Sequence, residues 1–238
     1  MDLKIRDVAE LLRVSETTIR RWLAEGKIPA YRIHHQYRFN REEIENWVMS
    51  CRLQKKEGDF MPIEEKQIYP RTQGSQDEEA KGNQQFSLFR SVHHGEVFTD
   101  IAGLEKDEII RHVVERISTK LSVDADVLTN LLLQREAMMP TALSNGIAVP
   151  HTRDFLLRGG KDAVVIVFLE NPIDWGALDG EPVHTLFFLF ASDDKRHLHL
   201  LAKIAHLSSC DAAHDLFKER PNKSATLDYL KSWEPSVT

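Results

Sequence analysis

Ala163–Leu169 is an unbroken apolar run of strand length, and Val183–Phe190 is a second stretch of similar character. Strands with so little polar alternation are buried on both faces, which requires helices above and below the sheet. Helices are legible nearby. Ile109, Ile110, Val113, Val114 and Ile117 mark one, and Val127, Leu128, Leu131 and Leu132 mark another. Further helices are expected from Asp194 and from about Asp211, with shorter strands over Gly95–Ile101 and Ile147–Val149. The second half of the chain is therefore expected to be α/β. None of its apolar runs approaches the roughly 20 residues of a membrane span.

Residues 1–51 carry a different pattern. Ile5, Val8, Ala9 and Leu12 recur at i, i+3, i+4 and i+7, the stripe of an amphipathic helix. After Arg13-Val14, Ser15 offers an N-cap for a second helix running to about Glu25 and burying Ile19, Trp22 and Leu23. Gly26 suits a left-handed C-cap and Pro29 stops continuation. Two short helices joined by a tight turn predict a helix-turn-helix. Thr17, Arg20, Arg21 and Ala24 share the outer face of the second helix. Arginines there can reach guanine edges or phosphates, and the small residues let a helix enter a major groove. Tyr31, Ile33, Tyr37 and Phe39 then alternate with polar residues about a short turn, predicting a two-stranded wing that carries Arg32 and Arg38. Asn40, with Glu43 three residues on, caps a third helix whose stripe is Ile44, Trp47, Val48 and Cys51.

This order of helix-turn-helix, wing and capped helix resembles the excisionase/MerR-type DNA-binding module. The resemblance spans nearly all of residues 1–51, and departs from the family at His34-His35, where glycines are commoner. It implies DNA contact through Thr17, Arg20, Arg21, Arg32 and Arg38. Charge agrees: residues 1–56 hold 12 Lys and Arg against 8 Asp and Glu, whereas the whole chain holds 31 against 37. A basic front on an acidic chain has the sign that phosphate contacts need.

Residues 53–87 are rich in Gln, Glu, Lys and Gly with sparse apolar positions, and read as a linker. A flexible chain of about 30 residues spans roughly 30 Å, a tether rather than a fixed joint. The expected organisation is a winged helix-turn-helix domain over 1–52, a linker over 53–87 and a larger domain over 88–238.

Within the larger domain, Gly146-Ile147-Ala148-Val149-Pro150-His151 places an imidazole just beyond a short strand. Imidazole, with an ordinary pKa near 6.5, is largely unprotonated and nucleophilic at neutral pH. Upstream stand Arg135-Glu136 and Thr141; downstream come Asn171-Pro172-Ile173-Asp174 and His197-Leu198-His199-Leu200-Leu201. The ordered set resembles the EIIA domains of the fructose/mannitol class of the bacterial phosphotransferase system, including their nitrogen-regulatory branch, over roughly residues 88–238. The resemblance implies an EIIA-like sandwich, a mixed sheet covered by helices. It also implies that His151 accepts a phosphoryl group from an HPr-type phosphocarrier, with His197 beside it and Arg135 steadying the phosphohistidine. Arginine suits that task because its fork makes two charge-assisted bonds to one phosphate. Helical spacing selects His197 over His199: in a helix from Asp194, His197 shares a face with Leu201 and Ile204, whereas His199 turns away with Lys203 and His206 toward the surface. Thr152-Arg153 departs from the family, where a small residue commonly follows the histidine.

The leading expectation is a transcription regulator, a homodimer on DNA, that reads phosphotransferase status through His151. A second is a phosphocarrier relaying phosphate from HPr to an EIIB component, and a third is an interaction protein that keeps the EIIA shape without phosphorylation. In each case the chain is a phosphotransfer component at most, rather than a stand-alone enzyme. No cofactor is expected, since GxxxxGK[ST] and GxGxxG are both absent. No metal is expected either. His34-His35, His93-His94 and His197-x-His199 lack ligand spacing, and Cys51 and Cys210 form neither a disulfide framework nor a zinc pattern. Asp174 and Asp179 read as turn formers. The start MDLKIRDVAE has no signal-peptide core, so a soluble cytoplasmic protein without membrane insertion is expected.

Overall fold

The first apolar stripe winds into α1 (Ile5–Leu12), burying Val8, Ala9, Leu11 and Leu12. Ser15 ends the turn after it: its side chain accepts from the amide of Thr18 at 3.1 Å and caps α2 (Glu16–Ala24). Gly26 then takes φ +66, the left-handed geometry that closes a helix. The computed structural model describes residues 2–12, 14–33, 36–50, 87–103, 105–152, 154, 156–157, 161–177 and 179–237. The linker up to residue 86, the wing tip His34-His35, and Arg13, Cys51 and Arg153 lie outside the described residues. The chain divides into two compact units, Met1–Glu64 and Glu65–Thr238.

In the first unit the wing strands β2 (Tyr31–Ile33) and β3 (Gln36–Asn40) pair antiparallel, Tyr31 opposite Arg38. The sequence predicted two strands and the sheet has three. β1 (Asp2–Leu3) joins the far edge of β3, a pairing of two residues that no periodicity can announce. Asn40 accepts from the Glu42 amide at 2.8 Å, at the start of α3 (Arg41–Ser50). The core is Val8, Leu12, Ile19, Trp22, Phe39 and Ile44, all buried. Trp47 tilts against Trp22 with ring centroids 5.7 Å apart, and its indole donates to the carbonyl of Lys27.

The second unit is built on a mixed four-stranded sheet. β4 (Val97–Ile101) runs parallel to β6 (Ala163–Ile173), β6 is antiparallel to β7 (Val183–Phe190), and β5 (Ile147–Ala148) lies parallel on the outer edge of β7. Val165, Val167, Leu169, Phe188 and Phe190 meet Ile109, Ile110, Val113 and Ile117 of α5 (Lys106–Leu121) and Leu128 and Leu132 of α6 (Ala125–Met138) in one apolar cluster. On the alternate residues, Phe168 and Phe187 each stack near Phe217 of α8 (Asp211–Lys218), at 5.8 and 5.7 Å. α7 (Asp194–Leu207) and α9 (Lys223–Trp233), followed by a 3-10 turn at Glu234–Val237, complete the unit. Among the described residues no helix is long and apolar enough to cross a membrane.

Val127 lies on α6 as its apolar pattern predicts, but on the exposed side, because the inward stripe of α6 is Leu128, Thr129, Leu132, Arg135 and Glu136. One reading of this unit needs correction. Ser87 was placed at the end of the linker and instead begins a helix, α4 (Ser87–His94), that packs beside β6. Gly95, which follows α4, lies so close to that strand that an added Cβ would stand 1.9 Å from the carbonyl oxygen of Val164. Backbone on both sides leaves little room to yield. Gly95→Ala is expected to cost about 2–3 kcal/mol and to lower Tm by roughly 5–10 °C in thermal unfolding followed by circular dichroism.

Candidate functional site

The inward stripe of α6 explains how a charged side chain reaches the interior. Residues 128, 132 and 135 fall on one helical face, so burying Leu128 and Leu132 carries Arg135 inward with them. The chain then loops back to the sheet through Thr141. The buried carboxylate of Glu136 accepts from the Thr141 hydroxyl at 2.6 Å and from the Thr141 amide at 3.2 Å. The Val149 amide in turn donates to the carbonyl of Thr141 at 2.9 Å. Helix end, loop and strand end are thereby locked together.

β5 enters through two left-handed residues, Asn145 at φ +61 and Gly146 at φ +69. Only glycine fits the second position, where a Cβ would lie 2.5 Å from the His184 ring and 3.0 Å from the carbonyl oxygen of Pro182. Beyond β5 the strand geometry persists. The Leu189 amide donates to the Pro150 carbonyl at 3.0 Å, and His151 bridges to Leu189 of β7.

His151 makes two bonds that assign its proton. Nδ1 lies 2.7 Å from the carbonyl oxygen of Val149, and since a carbonyl only accepts, Nδ1 carries the hydrogen. Nε2 receives a bond from Arg135 Nε at 3.1 Å, so Nε2 is the bare nitrogen. Arg135 is itself steadied by a bond from Nη1 to the carbonyl of Met139 at 3.0 Å. The result is a neutral imidazole with one lone pair directed at a guanidinium. That chemistry suits nucleophilic attack on an electrophile whose oxygens are anionic.

His197 arrives from α7, whose N-cap Asp193 accepts from the Arg196 amide at 2.9 Å. Its ring lies 5.1 Å from that of His151, with the planes inclined by 61°. Leu201 and Ile204 are buried on the same helix face as His197. The structure thus brings together Arg135, His151 and His197. His199 was expected at the surface, and this is corrected: it is half-buried and its Nε2 is 2.8 Å from the Ser87 hydroxyl. Its neighbour Lys203 is buried and ion-paired with Glu234. The reason is α4, which covers a second face of α7. Asp174 and Asp179 are turn formers, accepting from the amides of Gly176 at 2.8 Å and Glu181 at 3.1 Å. Thr152 accepts from the Asp154 amide at 3.1 Å.

In the other unit Thr17, Arg20, Arg21 and Ala24 are all exposed on α2. Arg20 pairs with Glu16 at 3.6 Å on the surface. Arg32 lies on β2 with its guanidinium 5.9 Å from the centre of the Tyr37 ring. Arg38 lies on β3 and donates to Gln36 Oε1 at 2.8 Å.

Sequence reasoning did not find the Val149 carbonyl, a main-chain group that leaves no mark in residue types. Nor did it find Asp162, whose buried carboxylate gathers Ser192 and Arg196. A lone aspartate before a strand gives no such signal.

Residues 91–233 match the model of the phosphoenolpyruvate-dependent sugar phosphotransferase system, EIIA 2, and residues 3–52 match that of a helix-turn-helix domain. A nitrogen regulatory protein of Pseudomonas aeruginosa is 30% identical over 135 residues, covering 55% of this chain and 86% of that protein. The nitrogen regulatory protein of Escherichia coli is 37% identical over 105 residues, 42% of this chain, and the chain spans 62% of that relative's length. Among solved structures, nitrogen regulatory protein IIA-Ntr from Neisseria meningitidis aligns with a TM-score of 0.55 at 19% identity, over 60% of this chain and 98% of that one. This last likeness is one of fold.

Near the left-handed turn, the amide of His184 donates to the carbonyl of Gly146 at 2.8 Å. Burial, aided by the charges of His214 and Lys218, pulls the His184 imidazole down to about 4. The unfolded chain, with an ordinary histidine, takes up that proton first as pH falls. His184 therefore imposes no penalty above about pH 6.5, and stability declines as pH drops from there toward 4. In urea unfolding across this window, His184→Gln is expected to flatten the decline; an unchanged slope would remove His184 as its source.

Proposed function

We propose that this chain, which belongs to the phosphoenolpyruvate-dependent sugar phosphotransferase system EIIA 2 family and carries a helix-turn-helix domain ahead of it, is a DNA-binding transcription regulator controlled by phosphorylation of His151. The observation that carries the reading is the assigned tautomer. Val149 holds the proton on Nδ1 and leaves the Nε2 lone pair as nucleophile. An HPr-type phosphocarrier supplies the electrophile. The Nε2–P bond forms while the donor's bond to phosphorus breaks, its electron pair departing with the donor atom, and Nδ1 keeps its hydrogen. Such transfer calls for positioning and charge stabilisation more than for further covalent chemistry. Arg135 releases Nε2 as phosphorus approaches and turns its guanidinium to the phosphoryl oxygens. His197 stands beside the acceptor as the neighbouring imidazole.

The DNA half rests on the exposed Thr17, Arg20 and Arg21 of α2 and on Arg32 and Arg38 of the wing. A homodimer would set two such helices one turn of duplex apart. Phosphorylation adds about −1.5 to −2 charges at one histidine, enough to alter the arrangement of a tethered, basic domain or its recruitment of a partner.

Incubation with phosphoenolpyruvate, Enzyme I and HPr-type carriers is expected to add one acid-labile phosphoryl group by mass spectrometry. The group is absent in His151→Ala, and Arg135→Ala slows its arrival about 100-fold. For duplexes selected from a random library, Arg20→Ala and Arg21→Ala each weaken binding by about 1–3 kcal/mol. Equal duplex affinity in the phosphorylated, unphosphorylated and His151→Ala proteins would remove the regulatory part. Discharge of the phosphoryl group onto an EIIB component would favour a phosphocarrier in its place.

A further inference from the structure

His151 and His197 come from different elements, so the distance between their rings depends on how each element leaves β7. His151 is referred to β7 directly, by the bond from Leu189 to Pro150. His197 follows the three residues Ala191, Ser192 and Asp193 that link the end of β7 to α7, a helix that also packs against β7 and α4. Free rotation in that link would swing the first turn of α7, and His197 with it.

Beyond the packing of the helix itself, one buried carboxylate restricts that link. Asp162 lies immediately before β6, where Ala163 is opposite Phe190 at the end of β7. Its Oδ1 accepts from the Ser192 amide and from the Ser192 hydroxyl, each at 2.9 Å. Its Oδ2 accepts from Nε of Arg196, the residue preceding His197. The side chain of Asp162 is 2% exposed, while that of Arg196 is 49% exposed. The carboxylate is thus the fixed partner and the arginine is drawn to it. Asp193 completes the set by capping the same turn. A carboxylate that gathers both the link and the first helical turn fixes the direction in which α7 departs.

We propose that Asp162 is a positioning residue for His197, acting through Ser192 and Arg196 to hold the second imidazole against His151. The proposal rests on the reading of His151 as phosphoryl acceptor. It assigns Asp162 no contact with the transferred group. Small displacements at a reacting centre carry large rate effects, so loss of this clamp acts on the transfer step rather than on carrier docking.

The test uses the full chain with an HPr-type phosphocarrier as donor, comparing wild type, Asp162→Asn, His197→Ala and the double variant. Asparagine keeps the volume and one acceptor for Ser192, but turns an amide N–H₂ toward Arg196. Asp162→Asn is expected to lower the saturated transfer rate about tenfold with the KM for the carrier unchanged. In the His197→Ala background the same substitution has no further effect, as expected for residues acting in one chain of contacts. Ser192→Ala gives a smaller loss of the same kind and covers the case in which Asp162→Asn folds poorly. An equal loss in both backgrounds, a change confined to KM, or no loss at all would overturn the proposal. A second arm needs no donor: ring ¹⁵N shifts of His197 are expected to move in Asp162→Asn, while those of His151 stay in place. If wild type accepts no phosphoryl group, the acceptor reading fails by itself. Unmoved His197 shifts then overturn the positioning independently.

Discussion

The bond from the Leu189 amide to the Pro150 carbonyl fixes the frame in which the rest of the second unit is arranged. Proline has no amide hydrogen, so at this position the chain has only its carbonyl to offer an adjoining strand. Through it, β5 and His151 are registered against β7. The same strand holds β6 on its other side, with Ala163 opposite Phe190, and leads at its end into α7. Histidine, carboxylate and helix are all measured from the last few residues of one strand buried on both faces.

Buried carboxylates in this unit share one feature: each is met by several donors. Glu136 gathers Thr141, and Asp162 gathers Ser192 and Arg196. Glu234 accepts from the amides of Leu88 and Phe89 at 2.7 and 2.9 Å, as well as pairing with Lys203. A buried carboxylate without such partners costs several kcal/mol, so each one specifies its surroundings closely. Together they tie α6 to the loop before β5, the start of α7 to the residue preceding β6, and α4 to α7 by directional contacts, where apolar packing alone would leave them room to slide.

Much of this was legible in the chain because the signals were periodic. The α5 stripe, the buried strands, the Ser15 cap and the Gly26 turn each require a particular residue type at a particular spacing, and the structure has them where that spacing puts them. The helical arithmetic that separated His197 from His199 holds for His197. It fails for His199, since the opposite face of α7 is covered by α4. That helix has few apolar residues over its eight positions and follows a polar segment, so Ser87–His94 offered little pattern to read. Val127 marks α6 without facing the core: an apolar residue at a helix start fits either edge of the stripe, and Arg135, not leucine content, marks the inward side of α6. The Glu136–Thr141 and Asp162–Ser192 contacts join residues 5 and 30 positions apart. Side chains meeting across loops have no period for a sequence reading to detect.

The wing has a consequence of another kind. β2 is an edge strand, and Ile33 and Tyr37 are 44% and 37% exposed on the ribbon. Strand edges that carry apolar side chains are templates for intermolecular pairing. β2 is only three residues long, with Arg32 at its centre, and Arg38 stands opposite Tyr31 on the neighbouring strand. An edge of three residues with a cation at its centre offers a second chain few main-chain bonds and a charge to meet. Arg32 thus has the placement of a gatekeeper residue on an exposed strand edge, a demand on this side chain separate from any contact with phosphate.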